Sequence, residues 1–273
     1  MTDLEKILQA RDDLKEKSPL VHAITHPIAI NMVANVILFM GAKAICAAHP
    51  DEVAEIVEMS DSLSVNLGNI TSERMVSIDR ASNASNKKKI PLAIDLVGVG
   101  ASSLRYDFAN DLLNKCHFDL IKGNSSEIRA MSKGRSNAKG IDVGKSDKIF
   151  GDNIEKIARE AHNLAKTYRT TVLVTGQTDL VVTENSYYTV SNGVENLSKI
   201  TGTGCMLTSM ISSLMAVTDP ISAALAGLLI MEVAAEKANT DRLYTFFVNL
   251  MDEIGTITND EILAKAKVRE IKF

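Results

Sequence analysis

Short apolar runs alternate with longer amphipathic segments over the first two thirds of the chain, and that alternation leaves few architectures open. Candidate strands fall at 20–24, 44–47, 62–66, 91–96, 119–121 and 172–175; a further pair at 180–183 and 187–190 reads as a hairpin around Glu184-Asn185-Ser186. Helical segments occupy 30–40, 51–59, 72–86, 104–115, 127–131 and 153–168. Strands regularly separated by helices predict an α/β fold, a mostly parallel sheet with helices on both faces. From Cys205 onward the pattern reads as nearly all helix. There is no fixed-period repeat or low-complexity tract. The polar, basic stretch 132–146 reads as an exposed loop, so residues 1–273 are expected to form one domain.

Composition excludes several classes. Of 273 residues 45% are apolar and 23% charged, an ordinary globular balance that can build a sizeable core. A net charge of −4 with scattered Lys and Arg, no Trp and 4% aromatic residues offers no nucleic-acid surface. The three cysteines, Cys46, Cys116 and Cys205, form neither a CxxC pair nor a metal spacing, and residues 1–17 are too charged for a secretory signal. The expectation is a reduced, cytoplasmic protein. The charge-poor stretches 200–218 and 220–231 carry Gly, Ser or Thr and read as buried helices, not membrane spans.

In such sheets ligands bind beyond the carboxyl ends of the strands. Thr201-Gly202-Thr203-Gly204-Cys205 leads into an apolar helix. Its glycines and the unpaired N–H groups of a helix start can converge on an anion, with Cys205 at the mouth where a thiolate would be favoured. The other reading is a tight turn with a buried cysteine. Asp95-Leu96-Val97-Gly98-Val99-Gly100 follows a strand and reads equally as a Mg²⁺ or phosphate neighbourhood or as a helix cap with turn glycines. Lys122-Gly123-Asn124-Ser125-Ser126-Glu127 also follows a strand; Asn124 and Glu127 suit a capping box, which leaves Lys122 unexplained as a cation at the strand mouth. Gly140 to Ser146 is not a P-loop, because three residues separate its glycines where four are needed. No HExxH or GxSxG appears. His117 and His162 fall in helical patterns; His22 and His26 flank a strand end and can line a pocket.

The blocks Pro19 to Thr25, Asn31 and Asn35, Gly41-Ala42, Asn66-Leu67-Gly68, Asp95 to Ala101, Lys122 to Glu127, Val174-Thr175-Gly176 and Thr201 to Cys205 occur in order. With them the chain resembles the hydroxyethylthiazole kinase family of ribokinase-like enzymes. The resemblance implies transfer of the ATP γ-phosphate to the hydroxyl of 4-methyl-5-(2-hydroxyethyl)thiazole in thiamine salvage, with Mg²⁺, and a homotrimer with thiazole pockets between subunits. It implies an anion hole at Gly202, Gly204 and the neighbouring amides, and Cys205 as the base candidate. By the same resemblance Asp95 and Glu127 hold Mg²⁺; Lys122, Asn124 and Thr175 contact ATP; Cys46, Gly202, His26 and Asn31 contact the alcohol. No nucleic-acid or membrane partner is implied.

Several positions depart from the family pattern. His26 stands for an Asn, Cys46 for a Met and Leu96 for a Pro, and residues 239–246 replace a Gly-Pro-Gly-Ser-Phe element. Two other readings therefore remain: a kinase of another heteroaromatic alcohol such as hydroxymethylpyrimidine, or a non-catalytic ligand-binding relative.

Overall fold

The computed structural model describes residues 3–133 and 153–273. Its strands are β1 (Leu20–Ile24), β2 (Lys43–Ile45), β3 (Ser62–Asn66), β4 (Leu92–Asp95), β5 (Leu120–Asn124), β6 (Thr171–Thr175), β7 (Asp179–Val182), β8 (Ser186–Val190) and β9 (Val268–Lys272). They form one nine-stranded sheet in the order β2-β1-β3-β4-β5-β6-β7-β8-β9. β1 to β6 pair in parallel, whereas β7, β8 and β9 add antiparallel strands at one edge.

The pleat sends alternate side chains of each strand to opposite faces of the sheet. One face (Val21, Ala23, Ala93, Leu120, Leu173) packs on helices α1 (Asp3–Lys17), α2 (Ile30–Phe39), α8 (Thr203–Met215), α9 (Pro220–Ala238), α10 (Leu243–Thr256) and α11 (Asn259–Lys265). The other (Leu63, Val65, Ile94, Ile121, Val174) packs on α3 (Val53–Met59), α4 (Ser72–Lys88), α5 (Ser103–Lys115), α6 (Ser125–Lys133) and α7 (Ile154–Tyr168). The parallel strands are covered on both sides, which is why they read as apolar runs. Among the described residues no helix is long and apolar enough to cross a membrane.

Some expectations need correction. The last third is nearly all helix as expected, with one exception: Val268–Lys272 returns to the sheet as β9, an edge strand whose Arg269, Glu270 and Lys272 are exposed. Charges on an edge discourage pairing with other chains, and they hid the strand from an apolar pattern. His117 lies in the connection after α5, not in a helix. The Gly140–Ser146 segment and all but the first two residues of the 132–146 stretch lie outside the described residues. Leu96 is fully buried and its N–H donates to Lys122 O at 2.8 Å, a bond that a proline in its place could not make.

One contact between layers matters most for the site. The side of β3 facing α8 is not aliphatic but Ser62, Ser64 and Asn66. Ser212 Oγ meets Ser62 Oγ at 3.3 Å, Ser209 Oγ lies 3.5 Å from Ser64 Oγ, and Asn66 Nδ2 donates to Cys205 Sγ at 3.3 Å. Small polar side chains let α8 lie close along the strand, so its N-terminus arrives at the strand's carboxyl end. On its far side α8 packs on α9, where a Cβ at Gly227 would stand 2.6 Å from Ile211 Cγ1. Gly227→Val is expected to force α9 off α8 and to cost about 1–3 kcal/mol, read as a lower thermal unfolding midpoint.

Candidate active site

Strand register gathers the chemistry. Asn66 pairs with Asp95, Asp95 with Lys122, and Asn124 with Thr175, so these residues line the carboxyl edge of β3, β4, β5 and β6 in a row. Asp95 does not cap a helix: Ser102 caps α5. Asp95 Oδ2 instead accepts from Lys122 Nζ at 3.0 Å and from the Thr208 hydroxyl at 3.0 Å, while Asp95 Oδ1 is buried with no protein partner. Lys122 also donates to Gly204 O at 3.3 Å, so the pair is tied to the start of α8. Burial works against the Lys122 charge, but Asp95 and Glu127 more than offset it and hold its pKa above the usual lysine value. Removing either partner of such a buried pair leaves an uncompensated charge, a cost of about 3–5 kcal/mol.

Gly202 is the N-cap of α8 at φ +97°, a left-handed conformation that favours glycine, and Met32 of α2 occupies the place a side chain there would take. Met206 N–H makes the first helical bond, to Gly202 O at 2.9 Å. The N–H groups of Thr203, Gly204 and Cys205 therefore precede the helical ladder; those of Thr203 and Gly204 are available to an anion, and that of Cys205 also faces its own sulfur. At Gly204 a Cβ would lie 2.8 Å from Lys122 Nζ. Glycine is needed there for the lysine's approach, not for its φ.

The expected Cys205 thiolate is not supported. Cys205 is buried, and burial first, then the charge of Asp95, push its thiol up to about 11, against the opposing pull of Lys122 and the Asn66 amide. Helix terminus and lysine were visible in the sequence; the desolvation and the facing carboxylate were not. His26 Nε2 lies 3.3 Å from Cys205 Sγ. Burial, and secondarily Arg74, lower the His26 pKa below its usual value, against Asp95.

Glu127 holds two loops together. Its Oε1 accepts from Gly98 N–H at 2.8 Å and its Oε2 from Asn124 N–H at 2.8 Å, while Asn124 Oδ1 accepts from Glu127 N–H at 2.9 Å. The capping box thus forms and also anchors the loop after β4. Burial, then Asp95, raise the Glu127 pKa, and Lys122 and the two amides counter that. Two arginines brace the same edge. Arg74 donates to the carbonyls of Asn66, Gly68 and Asn69, and Arg105 to those of Leu67 and Val97.

Other expected residues are not bonded into this cluster. Asn31 is exposed on α2 and accepts from Asn35 at 3.1 Å; Cys46 is half-buried beyond β2. Among the described residues neither hydrogen-bonds to the Asp95–Cys205 cluster. His22 is fully buried within β1 and bonds Ala47 O at 2.9 Å, a structural role. Sequence reasoning assigned no role to Thr208, Arg74 or Arg105, and none beyond family resemblance to Asn66. The spacing of Thr208, one helical turn after Gly204, was the one available signal.

Amides, a lysine and carboxylates converging on one strand edge suit phosphoryl transfer, which needs positioning and charge stabilisation more than a covalent nucleophile. Together with the parallel sheet they mark a small-molecule kinase. The hydroxyethylthiazole kinase family model matches residues 12–260, and on that match the chain belongs to the hydroxyethylthiazole kinase family, whose reaction phosphorylates the thiazole alcohol in thiamine salvage. Hydroxyethylthiazole kinase 1 of Clostridium botulinum is 43% identical over 266 residues, covering 96% of this chain and 99% of its own. The hydroxyethylthiazole kinase structure from Pyrococcus horikoshii superposes with a TM-score of 0.89 at 31% identity, covering 98% of this chain and 99% of that one. Pyridoxal kinase from Staphylococcus aureus, in complex with AMP-PCP and pyridoxal, shares the fold alone: TM-score 0.60, 12% identity, 93% and 99% coverage.

The protonated thiol makes a testable statement. Alkylation of Cys205 by iodoacetamide, followed by mass spectrometry, is expected to be far slower at pH 8 than that of an unperturbed cysteine, and to accelerate only as pH approaches about 11.

Proposed function

We propose that this chain transfers the γ-phosphoryl group of ATP to the hydroxyl of 4-methyl-5-(2-hydroxyethyl)thiazole, as a cytoplasmic, single-domain homotrimer. The observation that carries the reading is the meeting of Lys122, Asp95 and Gly204 beside the free amides of α8. The N–H groups of Thr203 and Gly204 receive the oxygens of the transferring phosphoryl group, aided by the helix dipole. Lys122, Asn124 and Thr175 face the nucleotide phosphates. The alcohol lies between Gly202, Cys205 and His26, with Asn31 and Cys46 lining the pocket from α2 and from beyond β2.

Residues present fit a magnesium ion. Asp95 Oδ1 is a buried carboxylate oxygen with no protein partner, and Glu127 stands across the loop it anchors. Among the described residues no cluster of three or more His, Cys, Asp or Glu forms a protein-only cage, and Mg²⁺ characteristically takes one or two carboxylates and completes its shell with phosphates and water. Bound there it would neutralise charge on the phosphates. Asp95 and Glu127 hold their oxygens in place through Thr208, Gly98 and Asn124.

Trimer formation has a surface that suits it. Ile28, Leu38 and Phe39 at α2 and Leu243, Tyr244 and Val248 on α10 are exposed apolar side chains on neighbouring helices. Leu38→Glu combined with Phe39→Glu is expected to reduce the light-scattering mass from that of three chains to one.

Activity is tested by coupled ADP release with the thiazole alcohol and Mg-ATP. Asp95→Asn is expected to lower kcat about a hundredfold or more, and Gly204→Ala, by displacing Lys122, about tenfold or more. With a loose transition state the base is a modest contributor. Cys205→Ser should keep measurable turnover and Cys205→Asp should raise it; complete loss with serine would refute that weighting. Turnover with hydroxymethylpyrimidine and none with the thiazole would overturn the substrate assignment.

A further inference from the structure

A thiol with its proton held so firmly cannot by itself take the proton of the substrate hydroxyl, yet it sits in an ordered line of hydrogen bonds. Gly68 N–H donates to Asn66 Oδ1 at 2.7 Å. That bond fixes the amide's orientation, so it is the Nδ2 group that faces Cys205 Sγ, at 3.3 Å. An amide NH₂ can only donate; the sulfur is therefore the acceptor on that side. Its own S–H has the ring nitrogen Nε2 of His26 as neighbour at 3.3 Å. Each step points the same way, from the backbone amide of Gly68 to the imidazole. The ring is buried, and its Nδ1 has no protein partner. With Nε2 accepting, Nδ1 carries the ring's hydrogen. Gly68 is shaped to admit the ring, since a Cβ there would lie 2.6 Å from His26 Cδ2 and 2.8 Å from Asn66 Oδ1.

We propose that Gly68, Asn66, Cys205 and His26 form a directed proton relay in which His26, acting through the Cys205 sulfur, receives the proton of the substrate hydroxyl. As the hydroxyl oxygen forms its bond to the γ-phosphorus and the bond to ADP breaks, the hydroxyl proton passes to Sγ and the S–H proton passes to Nε2. The sulfur ends as it began, as a thiol, and never has to exist as a free thiolate. His26 ends as an imidazolium with hydrogens on both nitrogens. ADP leaves with the electron pair of the broken P–O bond, so charge and atoms balance. This inference rests on the kinase reading above, and it gives His26 a role in positioning the proton through Cys205 that is separate from its place beside the alcohol. The charged and titratable groups facing the ring are Arg74 from α4, Asp95 at the end of β4 and Cys205 from α8. Only the neutral ring can accept, so turnover is expected to fall as pH drops through the His26 ionisation, which burial first and Arg74 second hold below the usual imidazole value.

Two measurements test the relay. In the ligand-free protein, long-range ¹⁵N–¹H correlation of His26 is expected to show the Nδ1–H tautomer; the Nε2–H tautomer would overturn the relay, and this readout stands whether or not the thiazole alcohol is the substrate. The pH profile of kcat comes next, for the wild type, His26→Asn, Cys205→Ala and Cys205→Ser. Removing the histidine is expected to lower kcat about tenfold or more and to abolish the acid limb that belongs to it, with KM little changed. Cys205→Ala should do the same, and Cys205→Ser, whose hydroxyl can pass a proton, should keep the limb. In a Cys205→Asp background the carboxylate takes the proton directly, so the penalty of His26→Asn should disappear. An acid limb that persists unchanged in His26→Asn, as one due to the nucleotide phosphates would, or a full penalty in the aspartate background, overturns the proposal. Absence of any turnover in the wild type would instead refute the assigned reaction, with the tautomer then deciding the relay.

Discussion

The seam between β3 and α8 is the constraint on which the site depends. Three polar contacts, Ser62 to Ser212, Ser64 to Ser209 and Asn66 to Cys205, run along it at 3.3, 3.5 and 3.3 Å. Each is worth only about 1 kcal/mol net. Their joint effect is registry. Strand positions two apart meet helix positions three or four apart, and a slip by one helical turn, about 5.4 Å, would break all three at once. An aliphatic seam would tolerate such a slip more easily because apolar packing has no direction. The start of α8 is therefore delivered to one place, beside Asp95 and Lys122, and the free amides of the helix face the strand edge.

Around this seam the charges are arranged before any ligand arrives. Lys122 and Asp95 are both buried, and Thr208 and Gly204 O supply the further hydrogen bonds that a buried ion pair needs. Glu127 uses its oxygens to accept from the amides of Gly98 and Asn124, and Arg74 and Arg105 donate guanidinium N–H groups to loop carbonyls. Loops that would otherwise be mobile are thus pinned at both sides of the pocket. Such prior ordering means that little reorganisation is required when charge moves during phosphoryl transfer.

Much of this was legible in the sequence, for a physical reason. Parallel strands buried on two faces write long apolar runs, and the residues immediately after them, Asp95, Lys122 and Thr175, fall at the edge where ligands bind. The capping box of Asn124 and Glu127 is local, so its spacing alone announces it. What escaped depended on distant pairing or on burial. Asn66 and Thr208 acquire their roles only because α8 lies on β3 and β4, a contact across more than a hundred residues of chain. The charged surfaces of α1 and β9 carry no apolar pattern strong enough to read. Of the two readings open for Cys205 the buried thiol holds, and the sequence cannot choose between them because it displays the helix terminus and the lysine but not the desolvation.

The firmly protonated sulfur has a consequence beyond the reaction. Peroxides attack thiolates, and with an ionisation near 11 the thiolate fraction at neutral pH is on the order of one in several thousand or less. Burial removes most of what access remains. Such a cysteine is expected to be oxidised by peroxide far more slowly than an ordinary low-pKa cysteine, which leaves the proton-handling sulfur in its thiol form.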